Sequence, residues 1–148
     1  MSAFLLAPPA VEPLSLVDAK TFLRVEHDAD DAIIASLVSA ARNHVEALTR
    51  CALIAQTWRL VLDHAAGVIA APSWSLPPPG RSVTGIELDF EVGFGEMSSD
   101  VPPKLLQAIR MLVAHWYENR GLIAIGQSVA MMPASVNALI ASHRVLSL

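Results

Sequence analysis

Asp28-Ala29-Asp30-Asp31-Ala32-Ile33-Ile34-Ala35-Ser36-Leu37-Val38-Ser39-Ala40-Ala41-Arg42-Asn43-His44-Val45-Glu46-Ala47-Leu48-Thr49 is the stretch on which the fold turns. Its apolar side chains recur at helical spacing in two adjoining stripes. Ile33, Leu37, Ala40, His44 and Leu48 make one; Ile34, Val38, Ala41 and Val45 make the other. The pattern predicts a helix from about Ala29 to Thr49. Asp28 is its expected cap, with Asp30 and Asp31 in the first turn, where acids complement the positive end of the helix dipole. So wide an apolar face packs on two neighbours, and Arg42, Asn43, Glu46 and Arg50 lie outside it.

Working outward, Ser15-Leu16-Val17-Asp18 has the form of a helix start with an acid three residues on, and opens a short helix from Leu16 to about Arg24. A lead punctuated by Pro8, Pro9 and Pro13 precedes it. After the long helix, Gln56-Thr57-Trp58-Arg59-Leu60-Val61-Leu62 is β-branched and aromatic and reads as a strand. From Gly85 to Phe94, Ile86, Leu88, Phe90, Val92 and Phe94 alternate with Glu87, Asp89, Glu91 and Gly93. This predicts a second strand with a buried face and an acidic, solvated one. Residues 65–82, with Pro72, Pro77, Pro78, Pro79 and Gly80, read as loop. Pro102-Pro103 opens a helix to about Asn119, Gly121 stops it, and Pro133-Ala134-Ser135-Val136 opens a last one to about Ser142. The expected fold is mainly α with a small antiparallel β element, a helical bundle plus a β-hairpin, in one domain over 1–148.

Of the 148 residues, 53% are apolar and 16% charged, against a usual charged share of about a quarter. Burial against partner surface is the simplest use for that excess. Cys51 is the only cysteine, so no internal disulfide can form. The N-terminal Met1-Ser2-Ala3-Phe4-Leu5-Leu6 lacks the basic start and the apolar length of a signal peptide. Gly121 to Ser142 holds no charged residue, but Gln127, Ser128, Pro133, Ser135 and Asn137 interrupt it. No membrane span is expected, and the chain reads as intracellular. The net charge of −4 is spread without a concentrated basic patch of the kind that phosphate binding demands.

No catalytic, cofactor or metal site emerges. The histidines, His27, His44, His64, His115 and His143, fall in no zinc-binding spacing, and the pairing of His115 with Glu118 is solitary. The acids at 28, 30 and 31 lack the glycine and distal glutamate of a calcium loop, and capping accounts for them. Gly93-Phe94-Gly95 lacks a third glycine and runs into Glu96 and Asp100, the wrong sign for phosphate. A DNA-reading or packaging role through the first two helices is the alternative reading. Against it, the end that would meet bases is acidic. His44 fits a hydrogen-bonded residue at a packing boundary, and Trp116 extends the core stripe of Leu105, Ile109 and Leu112. Tyr117 and Arg120, of the residue types that dominate interface energetics, are interface candidates.

Two stretches carry a resemblance. One runs from Leu14-Ser15-Leu16-Val17-Asp18-Ala19-Lys20-Thr21-Phe22-Leu23-Arg24-Val25 through His27-Asp28-Ala29-Asp30-Asp31 to Leu53-Ile54-Ala55-Gln56-Thr57-Trp58. The other runs from Val101-Pro102-Pro103 through Ala114-His115-Trp116-Tyr117-Glu118-Asn119-Arg120 to Met132-Pro133-Ala134-Ser135-Val136-Asn137-Ala138-Leu139-Ile140 and Arg144. Together they resemble the head–tail connector (adaptor, or head-completion) family of long-tailed phages and gene transfer agents. The sequence departs from the family over 65–82, where members carry a longer β-rich section. Either the hairpin is trimmed here or a stretch has dropped out.

The resemblance implies a non-enzymatic virion protein, assembled in the bacterial host cytoplasm. Copies, typically twelve, would form a ring at the particle neck, docking portal on one side and stopper or tail proteins on the other. Double-stranded DNA would pass through without sequence-specific contact, and no membrane is involved. It also implies that Arg144, Val145, Leu146 and Leu148, at the chain's end, hook into the portal. Glu87, Asp89 and Glu91 are expected to face the channel or solvent, since sliding DNA needs low adhesion.

Overall fold

Ser15 starts the first helix as expected. In this computed structural model, which describes residues 2–62, 86–120 and 132–145, its hydroxyl oxygen accepts from the Asp18 N–H at 3.1 Å and donates to the Asp18 carboxylate at 2.7 Å. Helix α1 (Leu16–Leu23) ends where Arg24 turns left-handed at φ 57°. Helix α2 (Asp31–Thr49) begins two residues later than its pattern predicts, and Asp28 is not its cap. The Asp28 carboxylate is 2.6 Å from Lys20 Nζ instead, and Lys20 also pairs with Asp31 at 2.7 Å. Asp30 stands at the cap position but makes no capping bond, because its carboxylate is engaged by the phenol of Tyr117.

Helix α3 (Pro103–Glu118) and helix α4 (Ala134–Ala141) follow, with a single 3-10 turn at Ser98–Asp100 before α3. They complete a helical unit made of residues 9–55 and 93–148. Its core is Ile34, Val38, Ala41 and Val45 from α2, Leu105, Ala108, Ile109, Leu112 and Val113 from α3, and Val136 and Ile140 from α4, with Ala19, Leu53, Ile54 and Val101. Of the two stripes on α2 only one is fully buried; Ile33 and Ala40, on the other, are exposed. His44 is half-buried and sits edge-on to Trp116, centroids 5.7 Å apart, but its Nε2 has no hydrogen-bond partner among the described residues, contrary to expectation.

The larger departure is Arg42, expected on the outer face yet buried. Its Nε donates to Glu12 Oε2 at 2.8 Å and its Nη1 to Glu46 Oε2 at 3.0 Å. Glu46, one turn on, accepts the Leu53 N–H at 2.8 Å with its other oxygen. A carboxylate on each side is what allows a guanidinium to leave water.

The second unit comprises residues 1–8 and 56–92. It is a three-stranded antiparallel sheet in the order β1-β2-β3, with β1 Ser2–Ala7, β2 Gln56–Leu62 and β3 Ile86–Val92. The expected two-stranded hairpin thus gains a strand from the N-terminal segment. After Ser2 that segment is apolar and shows no alternation to mark it. Leu88 and Phe90 are about 40% exposed, where alternation predicted burial. The strand stops at Val92 because Gly93 adopts φ 143°, and a Cβ there would lie 2.6 Å from the Ala55 nitrogen and the Ile54 carbonyl carbon. Among the described residues no helix is long and apolar enough to cross a membrane. The expected loop at 65–82 lies outside the described residues.

Two substitutions test these constraints. Arg42→Ala leaves Glu12 and Glu46 facing each other without their shared cation, and is expected to cost about 2–3 kcal/mol in denaturant unfolding. Gly93→Ala combines a disfavoured φ with a backbone clash and is expected to cost at least ~1–3 kcal/mol; an unchanged midpoint for either would remove its residue from the account.

Candidate assembly surfaces

The C-terminal turn of α3 brings two of the expected interface residues together, on an acid of the same chain. The Tyr117 hydroxyl donates to Asp30 Oδ2 at 2.5 Å, and Arg120 Nη1 lies 3.3 Å from Asp30 Oδ1. The Arg120 guanidinium stacks 4.3 Å from the centre of the Tyr117 ring, and its Nε donates to the Tyr117 carbonyl at 3.1 Å. The phenol, and after it the guanidinium, hold the Asp30 carboxyl below its usual range. The same carboxylate, with desolvation, pushes the Tyr117 phenol up. Tyr117 therefore latches α3 to the start of α2, while Arg120 keeps a half-open outer side. The acids at the start of α2, where a DNA-reading helix would present its contacts, are committed to Lys20, Tyr117 and Arg120.

At the other end of α2, the last described residues are pinned. The Val145 N–H donates to the Thr49 carbonyl at 2.9 Å, and the Cys51 thiol contacts the His143 carbonyl at 3.6 Å. Val145 is exposed, and Arg144 donates to Asn137 Oδ1 at 3.1 Å. Leu146 and Leu148 lie outside the described residues.

Glu87, Asp89 and Glu91 are exposed on β3. The strand register sets Arg59 opposite Asp89, and the guanidinium grips that carboxylate with two bonds of 2.7 and 2.8 Å and reaches Glu87 at 3.1 Å. Arg59 holds the Asp89 carboxyl below its usual range. Local spacing does not reveal this cross-strand cation, because its main partner, Asp89, is 30 residues away. The reading also passed over the exposed apolar side chains: Phe4, Leu5 and Leu6 on β1, Val17 and Phe22 on α1, and Phe94 and Met97 after β3. Among the described residues no three His, Cys, Asp or Glu side chains come together to hold a metal.

Tyr117 is the chain's only tyrosine, so its phenolate absorbance reports on the latch directly. It is expected to titrate above the ordinary value of 10.0, and Asp30→Asn should return it toward that value. Identical titrations would dismiss the contact. Because folding lowers the Asp30 pKa, its stabilising contribution is complete above the unfolded carboxylate range and drains away as pH falls through the lowered value. Asp30→Asn should accordingly flatten the acid limb of the stability profile.

Residues 13–144 match the model of the phage gp6-like head-tail connector protein family. A search of curated proteins returned no match. Among solved structures, a chain in the neck of an empty gene transfer agent particle, computed with C6 symmetry, is similar at 27% identity and a TM-score of 0.75. A chain of the native gene transfer agent virion is similar at 26% and 0.73, and one in the native neck computed with C12 symmetry at 26% and 0.70. Each alignment covers 100% of this chain and 97% of the other. The matched family and structures are of connector, neck and virion proteins, with no enzyme among them, and the TM-scores show that they share this chain's fold, which among the described residues is four α-helices and a small antiparallel sheet. A family model spanning this much of the chain is decisive: the protein belongs to the phage gp6-like head-tail connector family.

Proposed function

We propose that this chain is an adaptor subunit that closes with its copies into a ring in the neck of a phage or gene-transfer-agent particle, between portal and tail. The observation that carries the reading is the end-to-end similarity to chains in necks computed with C6 and C12 symmetry. Two features of the chain support it. Its apolar surplus has a use at the flanks of a ring, where each copy is covered on both sides. Its net charge of −4 would give twelve copies about −48 in total, a sign that does not grip the DNA backbone. Glu91, the acid of β3 that Arg59 does not pair with, and the outer carboxylates of Glu87 and Asp89 then face channel or solvent. The portal lies on the side of the C-terminal segment and stopper or tail proteins on the other, with assembly in the host cytoplasm.

Purified chain mixed with portal is expected to give twelve-fold rings by electron microscopy and native mass spectrometry. A monomer that persists at high concentration with portal present would refute the reading. Because the Val145 N–H belongs to the fold, the docking test is a deletion of 146–148 alone, with Val145 kept. That variant should fold with unchanged unfolding midpoint and lose portal binding at least tenfold; full binding would refute the hook.

A further inference from the structure

The sheet has two unlike edges. On one, β3 carries Glu87, Asp89 and Glu91, charges that discourage another strand from pairing. On the other, β1 is Ser2-Ala3-Phe4-Leu5-Leu6-Ala7, with no charge and no proline, and β2 is its only sheet partner among the described residues. Edges of this composition are ordinarily blunted, because an exposed apolar edge recruits other strands. The register adds a face to the edge. Leu5 lies opposite Trp58 and Trp58 opposite Phe90; Ala3 lies opposite Leu60 and Leu60 opposite Leu88. These six side chains share one side of the sheet, yet Leu5 is 45%, Leu88 41% and Phe90 40% exposed. On the reverse side Phe4, beside Arg59, is 54% exposed.

We infer that the β1 edge and this apolar sheet face form one flank of the contact between neighbouring copies of the chain. The inference rests on the ring reading above and says which surface closes the ring. The occupant follows from symmetry. In a rotational ring of identical subunits every copy brings two different surfaces to its two neighbours. The apolar β1 flank has no twin on the sheet, whose other edge is acidic, so it suits one of the two surfaces, whereas a contact of β1 with β1 would end at a dimer. The relatives computed with C6 and C12 symmetry align over the whole of this chain, the sheet included. A neighbouring strand on β1 would satisfy its outer backbone groups, and its side chains would dry Leu5 and Phe90.

The test uses the full chain with portal, in two forms. Leu5→Arg sets a charge in the middle of the edge, and should reduce the ring population at least tenfold with an unchanged circular dichroism spectrum. Rings that survive in a folded Leu5→Arg protein would overturn the inference while leaving the ring reading intact. Should that variant unfold, the second form decides: benzoylphenylalanine placed at Phe4, in an equal mixture of light and isotopically heavy chains. Irradiated rings are expected to give light–heavy crosslinks from the Phe4 peptide. Crosslinks confined to one chain or to portal, in particles that do contain rings, would overturn it. Wild-type protein that forms no ring at all would refute the ring reading, and this flank with it.

Discussion

The helical unit depends on one buried cation. Arg42 sits in the middle of α2, and through its two carboxylates it ties three pieces of chain that have no helical continuity with one another: the lead segment at Glu12, α2 itself, and the connection at Leu53, whose N–H ends on Glu46. An isolated guanidinium in such a place would cost several kcal/mol, and a pair of flanking carboxylates turns that cost into directional bonding. Hydrophobic contacts alone would let the lead segment slide along α2; a guanidinium with fixed donor geometry admits one position. The apolar core built from α2, α3 and α4 is thus assembled around a helix already oriented at its middle by this network and at its start by the Tyr117 latch.

Much of this was legible in the sequence, and the rest failed for identifiable reasons. Periodicity locates the four α-helices of the described residues, because each turns its buried side chains to one face, and composition and alternation locate two of the three strands; 56–62 is placed to the residue, and α1, α3 and α4 to within one or two. The expected start of α2 is two residues early because three acids within four positions compete for one cap, and the winner depends on Lys20 and Tyr117, distant partners that local spacing does not reveal. Strand β1 escapes the pattern because it is apolar from Ala3 to Ala7, so neither a period of two nor turn residues announce it. Arg42 was put outside because charge is normally solvated, and only the tertiary meeting with Glu12 makes its burial tolerable.

The assembly surfaces were less legible still. Tyr117 and Arg120 were singled out for their residue types, and both turn out to be engaged with Asp30 of the same chain, Arg120 retaining an open side. The exposed apolar side chains on β1 belong to residue types that usually mean core, so composition reported a surplus without an address. Register supplied the address: pairing Leu5 with Trp58 and Trp58 with Phe90 gathers residues 85 positions apart onto one surface.

The route of the chain through Ala55 and Gly93 has a consequence for tolerance to change. The two strands of backbone that leave and re-enter the helical unit there are clasped by a pair of main-chain bonds, Ala55 N–H to the Gly95 carbonyl at 2.8 Å and Phe94 N–H to the Leu53 carbonyl at 3.3 Å. The ends of the excursion are therefore held together whatever lies between them. Lengthening or shortening an excursion whose ends are already joined changes its closure entropy only slowly, by about 0.6 kcal/mol per doubling. A change in the length of the chain between Ala55 and Gly93 is therefore expected to leave the packing of the helical unit nearly untouched, because the clasp and not the excursion fixes where the two backbones meet.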